Sequence, residues 1–180
     1  MKKYDAIFLD RDGTINRDPG YISSLDDFKF YDFTIEALKN LKKLTDRFCI
    51  ITNQSGVARG KIDPDNLSMI HDYILNQFFN QGLNLIGIYY CTDHPDSPTA
   101  NRKPGIGMFI KAAKDHKIDL KKSLMIGDNF CDIEAARLCQ MESVLVLTGK
   151  GEKTKKITNM KPTYISNNLL DASMILKDSL

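Results

Sequence analysis

The 180-residue sequence predicts a three-layer α/β sandwich built on a mostly parallel sheet. Three observations predict it. Short apolar runs alternate with longer amphipathic ones, most of the short runs are apolar on both faces, and polar turn-forming clusters follow several of them. In chain order, "YDAIFL" (4–9) reads as a buried strand, and "TIEALKNLKKLTD" (34–46) carries apolar residues at helical spacing. "RFCIIT" (47–52) is the second strand, and "PDNLSMIHDYILNQFFNQ" (64–81) is a long helix that opens on proline. "IGIYYC" (86–91) and "SLMIG" (123–127) are the third and fourth strands, separated by the amphipathic "GMFIKAAKDHK" (107–117). "DIEAARLCQ" (132–140) and "NLLDASMILKD" (168–178) read as helices, with the strands "SVLVL" (143–147) and "TYIS" (163–166) between them. No repeat or interdomain linker interrupts the pattern, so one domain spanning 1–180 is expected.

Composition narrows the function classes. Hydrophobic residues at 42% and charged residues at 27% are ordinary for a globular protein. A formal charge of +2, with no long block of one sign, offers no case for nucleic-acid binding. No run approaches the ~18 consecutive apolar residues of a membrane span. "MKKYDAIFLD" sets an acid inside what would be the apolar region of a signal peptide, so a cytoplasmic location is expected; a monomer is expected separately. Cys49, Cys91, Cys131 and Cys139 are scattered without a CxxC pair, which suits reduced thiols.

In a parallel sheet the ligand crevice lies beyond the carboxyl ends of the strands. Four features fall there: Asp10 and Asp12 after the first strand, "TNQSG" (52–56) after the second, "RKPG" (102–105) beyond the third and "GDNFCD" (127–132) after the fourth. Each alone has a bland reading as a turn, a helix cap or a solvated lysine. Together they supply complementary chemistry. Asp10, Asp12 and Asp128 form a set of hard oxygen ligands suited to Mg²⁺, which relieves the repulsion between paired acids. Asp132, four residues beyond Asp128, is expected to stand behind the direct ligands or to act through a water. Thr52, Asn53 and Ser55 offer donors to an anion, Lys103 adds a full charge, and Asp10 stands in line to attack phosphorus. Asp12 could then protonate the leaving oxygen and later take a proton from water.

"FLDRDGTIN", "ITNQSG", "RKP" and "GDNFCD", in this order, resemble the haloacid dehalogenase-like superfamily of aspartate-nucleophile phosphatases. Within it, "DRDGTIN", "DPGY" (18–21), "TNQSGVARG" (52–60), "IYYC" (88–91) and "RKPGIGM" (102–108) are similar to the D-glycero-D-manno-heptose 1,7-bisphosphate 7-phosphatases, with histidinol-phosphate phosphatases as close relatives. The resemblance implies a Rossmann-like fold, Mg²⁺ dependence, Asp10 as nucleophile and Asp12 as general acid/base. It also implies Thr52 and Lys103 as phosphate stabilisers, Arg102 as reader of a second phosphate and Asp128 as metal ligand.

The sequence departs from that family in the segment "CTDHPDSPTANRKP", where relatives commonly carry a zinc loop. Cys91 remains, Asp93 replaces a ligand histidine, and no cysteine follows before Arg102. One thiol does not make a four-ligand site, so no structural zinc is expected. Asn129 stands where many relatives have lysine. The intervals before Thr52 and before Lys103 are filled by expected helices and strands, so no folded cap domain is expected and selectivity falls to loops. Asp18, Gly20 and Tyr21, with Asn53, Ser55, Arg102 and Asn129, make up the expected substrate-binding set for a small phosphorylated sugar. His71 and His116 read as structural or solvent-facing. The rival readings are a histidinol-phosphate phosphatase and, in another class, a receiver-like or phosphate-binding module without turnover.

Overall fold

The computed structural model describes residues 2–157 and 159–178. Six strands make one sheet: β1 (Ile7–Leu9), β2 (Phe48–Asn53), β3 (Leu85–Cys91), β4 (Leu124–Gly127), β5 (Glu142–Val146) and β6 (Tyr164–Ser166). Their spatial order is β3-β2-β1-β4-β5-β6, and every pairing is parallel. All six expected strands are present. β1 starts at Ile7 rather than at residue 4, because the Tyr4 and Asp5 amides bond outside the ladder, to Leu44 and Lys122.

The helices are α1 (Thr34–Leu41), α2 (Pro64–Asn80), α3 (Gly107–His116), α4 (Phe130–Leu138), α5 (Gly151–Thr154) and α6 (Leu169–Asp178). α1 stops short of the expected residue 46: the Lys43 and Leu44 amides make tight turn bonds to Asn40 and Leu41, which closes the helix. α2 begins where Asp63 accepts the Asp65 and Asn66 amides, with Pro64 in the first turn. The single turn α5 was not anticipated. No helix among the described residues is long and apolar enough to cross a membrane, and the four cysteines are free thiols.

Side chains alternate across β1 and feed two cores. Ile7 and Leu9 pack with Leu38 of α1, Ile70 of α2 and Leu176 of α6. Phe8 points the other way, into Phe109 and Ala112 of α3 and Ala135 of α4, with the two phenyl centroids 5.3 Å apart. Both faces of the sheet are therefore covered, which is what fully apolar parallel strands require. From β1 the chain steps outward through β2 to β3, then returns to the other flank of β1 as β4. That reversal opens a crevice beyond the ends of β1 and β4.

Candidate active site

The Asp10 amide donates to Ile126 of β4 at 2.9 Å, so Asp10 leaves the sheet beside the strand whose end carries Asp128. Asp10, Asp128 and Asp132 are all buried, and one carboxylate oxygen of each lies within 4.8 Å of the others. Lys103, only 3% exposed, reaches in from the loop after β3. Its ammonium stands 2.7 Å from Asp10 Oδ1, 2.6 Å from Asp132 Oδ1 and 2.7 Å from the Ile51 carbonyl, which accounts for all three of its N–H donors.

Three carboxylates against one ammonium leave the cluster two charges negative when all are ionised. Burial, reinforced by Asp132, pushes the Asp10 carboxyl up to about 7 despite Lys103. Burial, with repulsion from Asp10 and Asp132, raises Asp128 to about 8. Hard oxygen donors with this excess charge fit a hard divalent cation, Mg²⁺ above a thiolate-seeking metal.

Around the expected ligand set, the side chains of Asp12 and Asp132 are placed differently. Asp12 does not turn its carboxylate into the cluster; Asp132 does. β1 ends at Leu9, so the strand alternation that would place Asp10 and Asp12 on one face has already stopped. The Asp12 carboxylate instead accepts from Arg11 Nε at 2.9 Å and Nη2 at 2.8 Å, from Asn16 Nδ2 at 2.9 Å and from Gln54 Nε2 at 2.7 Å. Burial alone would raise its pKa; the Arg11 charge, then the Arg11, Asn16 and Gln54 hydrogen bonds, outweigh that and hold it low. Asp132, expected behind the direct ligands or acting through a water, is fully buried: it closes a capping box at the start of α4, where its Oδ2 accepts the Asn129 amide, and its Oδ1 meets the Lys103 ammonium.

All the site residues expected from sequence line one polar pocket. Several have structural duties there. The two ends of the Asn53 amide grip the Lys103 backbone, donating to its carbonyl and accepting its N–H, each at 3.0 Å. Thr52 Oγ1 accepts from Gln54 Nε2 at 2.8 Å. Asn129 caps α4 by accepting the Cys131 amide. Arg102 Nη1 donates to the Asp93 carbonyl at 3.3 Å, and the Asp93 carboxylate takes the Thr99 N–H and hydroxyl at 2.8 and 2.6 Å, tying the loop that carries Arg102. Asp18 Oδ1 accepts the Gly20 amide at 3.0 Å.

Several contributors were missed from sequence. Arg11 is completely buried, and behind it lies His71, with Nε2 3.3 Å from Arg11 Nη1. Burial and the neighbouring Arg11 charge depress His71 to about 4, so it stays neutral. Gln54 bridges Asp12 and Thr52. The turn Thr148–Lys150 is pinned to the site twice: Thr148 Oγ1 donates to the Gly13 carbonyl and the Lys150 amide donates to Asp128 Oδ2, each at 2.6 Å. Gly149 has φ +56° and sits so close that a Cβ there would collide with Asp128 Oδ2 and the Gly13 backbone. The strand-end argument used for the first four strands, applied to β5, would have found this turn.

Comparison with known proteins agrees with this geometry. A HAD-hydrolase-like family model matches residues 100–172. The D-glycero-β-D-manno-heptose-1,7-bisphosphate 7-phosphatase of Photorhabdus laumondii is 40% identical over 96% of this chain and 95% of its own length. The Haemophilus influenzae enzyme of the same name is 39% identical, over 96% of each chain. The crystal structure of the D,D-heptose 1,7-bisphosphate phosphatase from B. bronchiseptica, complexed with magnesium and phosphate, superposes with a TM-score of 0.89 at 30% identity, covering 98% of this chain and 99% of that one. With this identity running nearly end to end, the chain belongs to the heptose 1,7-bisphosphate 7-phosphatase family of haloacid dehalogenase-like hydrolases.

Proposed function

We propose that the protein removes the 7-phosphate of D-glycero-β-D-manno-heptose 1,7-bisphosphate in a Mg²⁺-dependent reaction through an aspartyl-phosphate on Asp10. It would serve nucleotide-heptose synthesis for surface polysaccharide, as a cytoplasmic monomer. The observation that carries the reading is the pocket itself, in which the Asp10 carboxylate and the Lys103 ammonium meet at 2.7 Å beside the converging Asp128 and Asp132, with Arg102 on the same wall. The β-anomer follows from the relatives in P. laumondii and H. influenzae.

Asp10 and Asp128 would hold the metal, with Asp132, spent on Lys103 and the Asn129 amide, behind them. When bound it supplies charge neutralisation, so that an anionic carboxylate and an anionic phosphate can approach. Asp10 Oδ attacks phosphorus and the bond from phosphorus to the sugar oxygen breaks. Lys103 balances charge on Asp10 and on the transferring phosphoryl oxygens. The departing alkoxide takes a proton from Asp12, and in the second half Asp12 recovers one from the water that attacks the aspartyl-phosphate, freeing inorganic phosphate and restoring Asp10. The four donors around Asp12 favour its anion, so its protonated form is a strong acid towards the alkoxide. Arg102 takes the substrate's second phosphate, a task suited to a forked guanidinium.

The test is phosphate release from the α and β anomers of the heptose bisphosphate beside histidinol phosphate, with and without Mg²⁺, using Asp10→Asn as blank. A strong Mg²⁺-dependent preference for the β-bisphosphate is expected. Preference for histidinol phosphate would overturn the substrate, and no release from any ester would leave a binding module without turnover.

A further inference from the structure

The pocket contains a lysine whose donors are nearly unspent. Lys103 has no free N–H, and the Asn129 side chain carries no charge. Lys150 differs: its side chain is 61% exposed and its ammonium meets Asp18 Oδ2 at 3.7 Å, too far for a hydrogen bond. Its backbone is nonetheless held firmly, because its amide donates to Asp128 Oδ2 and the preceding Gly149 is packed against Gly13. A long, solvated side chain thus springs from a fixed point beside the acid cluster.

The surroundings indicate what the ammonium meets. A second hollow, lined by Asp18, Tyr21, Ser55 and Lys150, opens off the catalytic pocket, and those four residues line both. A phosphate reacting at Asp10 and Lys103 leaves the rest of a longer substrate to run towards that junction. We infer that the Lys150 ammonium joins Arg102 in binding the non-reacting phosphate of the substrate, giving up Asp18 for it; this rests on the bisphosphatase reading above. A phosphate group carries more charge than a carboxylate and offers three acceptor oxygens, so the exchange is favourable. Asp18, once released, keeps its hydrogen bond from the Gly20 amide.

The test compares Lys150→Met and Lys150→Arg with wild type on heptose 1,7-bisphosphate and on heptose 7-phosphate, reading kcat and KM separately. In wild type the bisphosphate is the better substrate. With Lys150→Met the ratio of the two kcat/KM values falls by about tenfold, mainly through KM for the bisphosphate, the scale of one lost charge-assisted hydrogen bond. Lys150→Arg, which keeps the charge, restores most of the ratio. If wild type prefers the bisphosphate and Lys150→Met keeps the full preference, or loses equally on both substrates, Lys150 does not bind the second phosphate and the bisphosphatase reading stands. If wild type shows no preference for the bisphosphate, that reading fails and the inference fails with it.

Discussion

Arg11 and Asp12, adjacent in sequence, form an ion pair in which the buried guanidinium fork meets the half-buried carboxylate at 2.9 and 2.8 Å. The fork sets the plane of the carboxylate as well as its charge, and neutral His71 backs it from the other side. Arg11→Met keeps bulk but leaves Asp12 with only Asn16 and Gln54. The expected result is a loss of about 2–3 kcal/mol in stability, the scale of hydrogen bonds to a charged group that keeps some solvent. A fall of about a hundredfold in kcat should accompany it, because a general acid misplaced by about 1 Å loses that much. Arg11→Lys should recover charge but not the fork, and so sit between the two. Unfolding curves and single-turnover kinetics measure both effects, and a wild-type kcat in Arg11→Met would reduce Arg11 to a packing role.

The acid cluster predicts how stability depends on pH and metal. Asp10 and Asp128 bind protons more tightly in the folded chain than in the unfolded one, with folded values of about 7 and about 8. The folded state therefore holds more protons from about pH 4 to about pH 8, and stability falls as pH rises through that window. His71 works the opposite way, since its folded value of about 4 lies below its unfolded one, but most of its contribution is in place by about pH 6.5 and the rest by about pH 7.5. The low Asp12 pKa adds stability that is lost only in acid, as pH drops below the usual carboxylate range. Between pH 6.5 and pH 8 the acid pair is left to dominate, and the metal-free protein should lose about 2 kcal/mol, or roughly 4–8 °C in Tm. Mg²⁺ binds the ionised carboxylates and should flatten this slope, raising Tm more at pH 8 than at pH 6.5. Asp10→Asn should lessen both the fall and the Mg²⁺ gain. Calorimetry on chelator-treated protein checks this; a metal-free Tm that holds level or rises over the window contradicts it.

How much of the site can be read from sequence depends on whether the backbone or the tertiary packing places the side chain. Asp10, Thr52 and Asp128 sit at the ends of apolar runs, and strand alternation with parallel topology carries those ends to one edge. Lys103 was readable because it lies beyond the third such run. Arg11 has the composition of a surface residue; it is buried because the chain turns at once after β1, with the Ile15 and Asn16 amides folding back onto the Arg11 carbonyl. The same turn rotates the Asp12 side chain out of the acid cluster. Asp132 enters that cluster through a capping box, a local signal that says nothing of what else a buried carboxylate will face. Lys150 depends on Gly149 meeting Gly13 across the crevice, a contact between residues more than a hundred positions apart that no local pattern encodes.

Asn53 was expected to touch substrate, yet both ends of its amide are spent on the backbone of Lys103. Lys103 comes from a loop rather than a strand, so without that grip the ammonium would rely on its own ionic contacts for position. Asn53→Ala removes a donor and an acceptor together and leaves the Lys103 N–H and carbonyl to find water. Asn53→Asp keeps the acceptor for the Lys103 N–H but sets a carboxylate against its carbonyl, so it should be at least as damaging as Ala despite its closer shape. Both variants should lose about 1–3 kcal/mol of stability. In the proposed mechanism Lys103 steadies the phosphoryl group at every stage, so inhibition by inorganic phosphate should weaken along with kcat. A residue that contacted only the sugar would raise KM and leave phosphate inhibition alone. Measuring the phosphate inhibition constant beside kcat and KM for Asn53→Ala separates the two: unchanged phosphate inhibition with a raised KM would return Asn53 to direct contact with substrate.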